Sequence, residues 1–268
     1  MMDCFPMDTT TTSHLCIYMS TLITSYYVSY SYDYILSLIL SPIIFGWSLY
    51  GITTIGHDLL HVPTKQNRRL AFMCMDMTLF NSDQWIQIHN KDHHGDLNGE
   101  NDIMKLKGTN LLTEWYHLLE ISKQPTLIHH VYRIPFYIVL FQLRWYQIIS
   151  IYMTVLFCIA YFTYITHSNP VPSKYAVGTI QHNLDHIWDI FPESWLITLV
   201  FGGINAHATH HCFPTCNRSE FIKKSRYLSH KYPNYRVIHT YKQLYTLYST
   251  RFKQSSNNHS DTSGTSTN

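Results

Sequence analysis

From Tyr34 to Gly56 the chain runs 23 residues without a charged side chain, and the run ends directly on a histidine pair, His57 and His61. A helix of that length can cross a hydrocarbon core about 30 Å thick. A second run, Tyr146 to Ile165, has the same character and follows a shorter apolar stretch from Ile134 to Leu143. Leu15 to Tyr32 is also uncharged, though rich in Ser, Thr and Tyr. Together these stretches predict an all-α integral membrane protein with four transmembrane helices in two hairpins. Arg144 and Trp145 fall at the turn of the second hairpin, and Pro42 predicts a kink in the second helix.

The distribution of charge orients this drawing. Of 19 Lys and Arg residues, 18 fall between Lys65 and Arg133 or from Lys174 onward, leaving Arg144 alone on the other side. The positive-inside rule places those 18 in the cytosol. Only 13% of residues are charged, well below the roughly 25% of a soluble domain. The 21 tyrosines match the aromatic belts of membrane interfaces. Leu70 to Phe80 and Trp195 to Ile204 are apolar but too short to span, so they are expected to lie along the interface. Six cysteines form no CxxC pair, which argues against a zinc ribbon or disulfide scaffold and fits a reduced, cytosol-facing site. The N-terminal MMDCFPMDTTTTSH lacks the basic n-region of a signal peptide, so membrane targeting is expected from the spans themselves.

Against this background the histidines stand out. The chain has 18 of them, a density at which about one i,i+4 pair arises by chance. Four occur: His57 with His61, His89 with His93, His182 with His186, and His207 with His211. Residues four apart share a helix face with β-carbons about 5 to 6 Å apart, so each pair can clasp one ion. Eight imidazoles in HDLLH, HNKDHH and HATHH all fall on the predicted cytosolic side, forming a histidine-rich cap. Neutral imidazole serves zinc, iron, copper and nickel alike, so nitrogen ligands do not name the metal. Eight or nine of them suit two adjacent ions, each with a position for an exogenous ligand. Asp58, Asp92 and Asp185 neighbour candidate ligands and are expected to orient imidazoles by accepting the second N–H. His14, His117, His129, His130, His167, His230, His239 and His259 lack the pattern and are expected at the surface or interface.

Three segments carry a resemblance: GHDLLH after a span, WIQIHNKDHHGDLN after an interfacial stretch, and GGINAHATHHCFP after a second pair of spans. Their order and spacing, over roughly residues 34 to 240, resemble the three histidine boxes of the membrane fatty acid desaturase superfamily. The GGxNxHxxHHxFP form is most similar to acyl-lipid and sphingolipid desaturases. The resemblance implies two irons, with His57 and His61 as first-box ligands, His89, His93 and His94 as second-box ligands, and His207, His210 and His211 as third-box ligands. QHNLDH falls where that family often supplies one further ligand, a role open to either His182 or His186. Three departures are visible. The second box has three residues between its first histidine and the HH pair, where two are commoner; Cys212 replaces the usual leucine; and His207 replaces the glutamine of front-end desaturases.

The resemblance further implies O2-dependent desaturation of a fatty acyl lipid or acyl-CoA, with electrons from an external carrier such as cytochrome b5 or ferredoxin. An HPGG motif is absent, so no fused haem domain is expected. The implied location is the endoplasmic reticulum of a eukaryotic cell, multi-pass, with the active site facing the cytosol. Membrane di-iron hydroxylases and ketolases share similar boxes, and a zinc-binding, non-oxidative membrane protein would use the same ligands. The basic stretch Lys223 to Arg236 reads as a surface for anionic headgroups or an acidic electron donor rather than for nucleic acid. The expected organisation is a disordered N-terminus at 1–13, a desaturase-like membrane domain at 14–253 and a disordered tail at 254–268.

Overall fold

Asp8 starts the first helix. Its carboxylate accepts from the backbone N–H groups of Thr10 at 2.8 Å and Thr11 at 3.0 Å, and from the Thr11 hydroxyl at 2.8 Å. A side chain there satisfies donors that a helix N-terminus leaves unpaired. Helix α1 therefore spans Thr9–Ser31, and the segment expected to be disordered through residue 13 is helical from Thr9 onward. The computed structural model describes residues 7–31, 35–62, 64–76, 81–102, 104–105, 111–113, 116–117, 143–167 and 173–247, and the protein is mostly helical.

Helix α2 covers Ile35–Leu60 with Pro42 inside it, α3 covers Lys65–Asp76, and a short α4 at Ser82–Trp85 runs on into a wider turn at Ile86–His93. Helix α5, Trp145–Thr166, is followed by α6 at Ile180–His186, α7 at Trp195–Val200, α8 at His207–Cys212 and α9 at Phe221–Lys231. The one described sheet is a two-residue parallel ladder that pairs β1, Asp189–Ile190, with β2, Val237–Ile238.

Among the described residues, two helices are long and apolar enough to cross a membrane, within Leu38–Leu60 and Trp145–Thr166. Both match the runs read from the sequence, and α2 continues one turn past Gly56 so that His57 rides on its end. Outward-facing Ile39, Ile43, Ile149 and Phe157 are exposed on these helices, as lipid-facing residues would be. Helix α1 has the length of a span, but its serines and threonines leave it less apolar than the other two. The fourth predicted span, Ile134 to Leu143, lies outside the described residues except for Leu143, as does the 254–268 tail.

Helix α2 is the central element, packing against α1, α3 and α5. Gly51 sets the approach to α1: a Cβ there would collide with the Tyr18 ring. The segment around α7 is fastened to this pair by its carbonyls. Tyr18 donates to Leu199 O, Trp47 Nε1 donates to Val200 O at 3.0 Å, and Tyr50 donates to Phe201 O at 2.8 Å. A helix C-terminus leaves such carbonyls without intrahelical partners, so the three aromatic tips both cap α7 and fix it across α1 and α2. The chain then reverses through Gly202 and Gly203, both left-handed at φ 64° and 89°, and enters the third histidine cluster.

Replacing Gly51 by valine should therefore overpack the α1–α2 contact, costing about 1 to 3 kcal/mol. Thermal unfolding of the purified protein in detergent checks this; an unchanged midpoint would mean that α1 does not pack as tightly as described.

Candidate metal centre

The second cluster shows how local winding sets ligand geometry. In an α-helix, residues five apart point about 140° away from each other, so His89 and His94 could not share a site. Ile86–His93 is instead wound as a π-helix, and the His94 N–H donates to His89 O, five residues back. That winding absorbs the additional residue in HNKDHH. His89 Nε2 and His94 Nε2 lie 3.0 Å apart, and His93 is buried beside them. Such turns are rare and recur at functional sites.

Among the described residues, nine histidines converge in two groups. One holds His57, His61, His89, His94 and His210; the other holds His93, His167, His207 and His211; within each, the ligand nitrogens lie within 4.8 Å of one another. The groups adjoin, since the rings of His94 and His211 stack at 4.0 Å. Four elements supply them: the end of α2, the π-wound turn, the residue after α5, and α8.

Hydrogen bonding at the opposite ring nitrogen assigns tautomers. His57 Nδ1 lies 2.9 Å from Asp58 Oδ1, His93 Nδ1 lies 2.9 Å from Asp102 Oδ1, and His167 Nδ1 lies 2.9 Å from Thr163 O. Carboxylate and carbonyl oxygens only accept, so each of these Nδ1 atoms carries the proton and donates it. His89 Nδ1 faces the Met104 thioether at 3.4 Å in the same sense. The bare Nε2 atoms turn inward: His57 and His89 approach to 2.7 Å, and His167 and His207 to 3.1 Å. Two nitrogens at right angles on one ion, each about 2.1 Å from it, lie about 3 Å apart. The donor set therefore fits a cation at each group.

Electrostatics point the same way. Burial pushes His61 down to about 3, and it holds His89, His94, His207, His210 and His211 well below the usual imidazole range, with neighbouring imidazoles adding to the effect. These rings are neutral at pH 7 and keep their lone pairs. His61 Nε2, His210 Nε2 and both nitrogens of His211 are buried with no hydrogen-bond partner among the described residues. A cation at each group would satisfy the inward-facing nitrogens.

The sequence reading is corrected in three places. His182 and His186 pair with each other, ring centroids 4.7 Å apart, but join neither group. His182 Nε2 is committed to Leu97 O at 3.0 Å, so that nitrogen is not turned toward a group. The additional histidine is His167, which had been assigned to the surface or interface and is buried at 1% exposure. Of the three aspartates expected to orient imidazoles, only Asp58 does so. Asp92 accepts from Gln87 at 3.0 Å, while Asp185 accepts from Ser173 at 2.7 Å and Asn234 at 3.0 Å. Asp102, absent from the sequence reading, takes that role for His93. Burial raises its carboxyl, but the hydrogen bonds from His93 and from the Asn98 backbone N–H outweigh this and hold it below the usual value. Cys212 and Cys216 are free thiols and belong to neither group; burial pushes Cys216 up to about 12.

The third cluster is held by Asp189, which is wholly buried and accepts from Thr209 N and Oγ1 and from the Tyr235 hydroxyl. Thr209 stands between His207 and His210, so this carboxylate fixes α8 within the cap. A cavity of about 40 Å³ lies beside the histidines, between Tyr50, Thr53, Trp85, Met104, Ile159 and Thr163. It admits molecules of the size of water or O2.

Compared with known proteins, the chain matches no family model, and no curated protein matches it at a significant level.

Substitution of His167 by alanine should remove one metal ion per chain, whereas His182→Ala and His186→Ala should keep the wild-type metal content. Elemental analysis of the purified variants decides between the two assignments. Full metal content in the His167 variant would return the role to QHNLDH.

Proposed function

We propose that the chain is a multi-pass membrane oxidoreductase of the fatty acid desaturase type, which uses two histidine-bound irons and O2 to place a double bond in a fatty acyl chain. The observation that carries the reading is the pairing of two adjoining groups of largely buried imidazoles with a cavity lined by residues of the apolar helices. The ordered boxes of the sequence add to it. Glutamate and aspartate are absent from both groups, which sets the site apart from carboxylate-bridged di-iron bundles.

An alkyl C–H bond is too strong and too weakly acidic for side-chain acid or base chemistry. Redox-active ions supply the missing oxidising power when bound. The balance is a methylene pair plus O2, two electrons and two protons, giving the alkene and two waters; an external carrier delivers the two electrons. Within that balance the protein's own groups have distinct tasks. Asp58, Asp102 and Thr163 O hold the rings of His57, His93 and His167 at fixed tautomers. Ile159, Met104 and Trp85 form an apolar wall that excludes bulk water from the reacting carbons. The exposed cations of α9, such as Lys223 and Arg226, belong to the proposed cytosolic face and suit an acidic electron carrier. The location we propose is the endoplasmic reticulum, with the acyl chain of a lipid or acyl-CoA reaching the site between the spans.

Expression in a host with a simple lipid profile, followed by mass spectrometry of acyl and sphingoid species, tests the reading. A product lighter by two hydrogens is expected. A product heavier by one oxygen would assign hydroxylation, and two zinc ions with no O2 consumption after anaerobic iron loading would remove the oxidative reading altogether.

A further inference from the structure

Arg218 is buried at 4% exposure, in a setting where a guanidinium persists only with partners. Its partners come from three parts of the fold. Nε donates to Asp58 Oδ2 at 2.7 Å; Nη2 donates to Gly202 O at 2.8 Å and to Thr54 Oγ1 at 3.2 Å; Nη1 lies 3.4 Å from His14 Nδ1. The other Asp58 oxygen accepts from His57 Nδ1 at 2.9 Å. A continuous chain of contacts thus runs from Arg218 through Asp58 to an imidazole of the five-histidine group.

The other group has the same carboxylate device with a different anchor. Asp102 accepts from its own loop, through the Asn98 N–H at 2.8 Å and the Met104 N–H at 2.9 Å, while holding His93. Asp58 is anchored, besides its bond to His57, by a cation 160 residues away in sequence. Its side chain is 20% exposed, so without the guanidinium it could turn to water and release the His57 ring. A released ring can carry its proton on Nε2 and present N–H, not a lone pair, to the ion.

We infer that Arg218 is a positioning residue for the ion of the five-histidine group: it fixes Asp58, Asp58 fixes the ring and tautomer of His57, and the docked Gly202 turn is part of the same contact. This rests on the metal-centre reading above, and it assigns the two ions different dependences. Loss of Arg218 or of the Asp58 carboxylate should weaken one ion and spare the other.

Cobalt(II) titration of the purified full chain tests this, with bound metal counted and the visible ligand-field bands recorded. Wild type should bind two ions. Asp58→Asn and Arg218→Gln should each lower the affinity for one ion by about 10 to 100-fold and change its bands, leaving the second ion as in wild type. Arg218→Lys should fall between, since an ammonium can pair with Asp58 but lacks the fork that also reaches Gly202 and Thr54. In a His93→Ala background, adding Asp58→Asn should weaken the remaining ion, which locates the effect at the five-histidine group. Wild-type affinity for both ions in Asp58→Asn, even alongside an unfolded Arg218→Gln, would overturn the inference and leave Arg218 a purely structural tie. A wild-type chain that binds no cobalt would overturn the metal-centre reading beneath it.

Discussion

Nine imidazoles directed at two points inside a protein are an unfavourable arrangement until something sits between them. Each buried donor or acceptor left unpaired costs about 1 to 3 kcal/mol, and His61 Nε2, His210 Nε2 and both nitrogens of His211 have no hydrogen-bond partner among the described residues. Protons cannot relieve the strain cheaply, because burial and mutual repulsion push the cationic forms out of range at neutral pH. A divalent ion can, since it accepts several lone pairs at once and replaces repulsion by coordination. The surrounding structure serves to hold the rings against that penalty: π winding of the second cluster, the Gly202–Gly203 reversal into the third, the half-buried carboxylate of Asp58 and the buried carboxylates of Asp102 and Asp189.

The scaffold achieves this with two kinds of fastening. The long helices provide apolar packing, in which Gly51 allows α1 to lie close to α2. Polar tips then tie the cap to the helices, through Tyr18, Trp47 and Tyr50 on the carbonyls of the segment around α7 and through Arg218 on α2.

Much of this was legible in the sequence because the relevant periodicities are local. An i,i+4 histidine pair lies on one helix face wherever the helix is placed, and two apolar runs marked the ends of α2 and α5 to within a few residues. What the sequence could not give depends on contacts between distant segments. His167 meets His207 across 40 residues and has no helical partner of its own. QHNLDH has ligand spacing, yet its two histidine rings pack against each other and His182 Nε2 is held by Leu97 O. Asp102 reaches His93 around a loop with no regular period. The extra residue in the second cluster looked like a defect of spacing, and π winding turns it into a means of bringing His89 and His94 together.

X-ray absorption at the iron edge of the purified, iron-loaded chain tests the central claim most directly. The account predicts two ions per chain, each with a first shell of light atoms near 2.1 Å that is dominated by imidazole nitrogen, and no sulfur. A thiolate in the shell, or a single ion per chain at saturation, would contradict it.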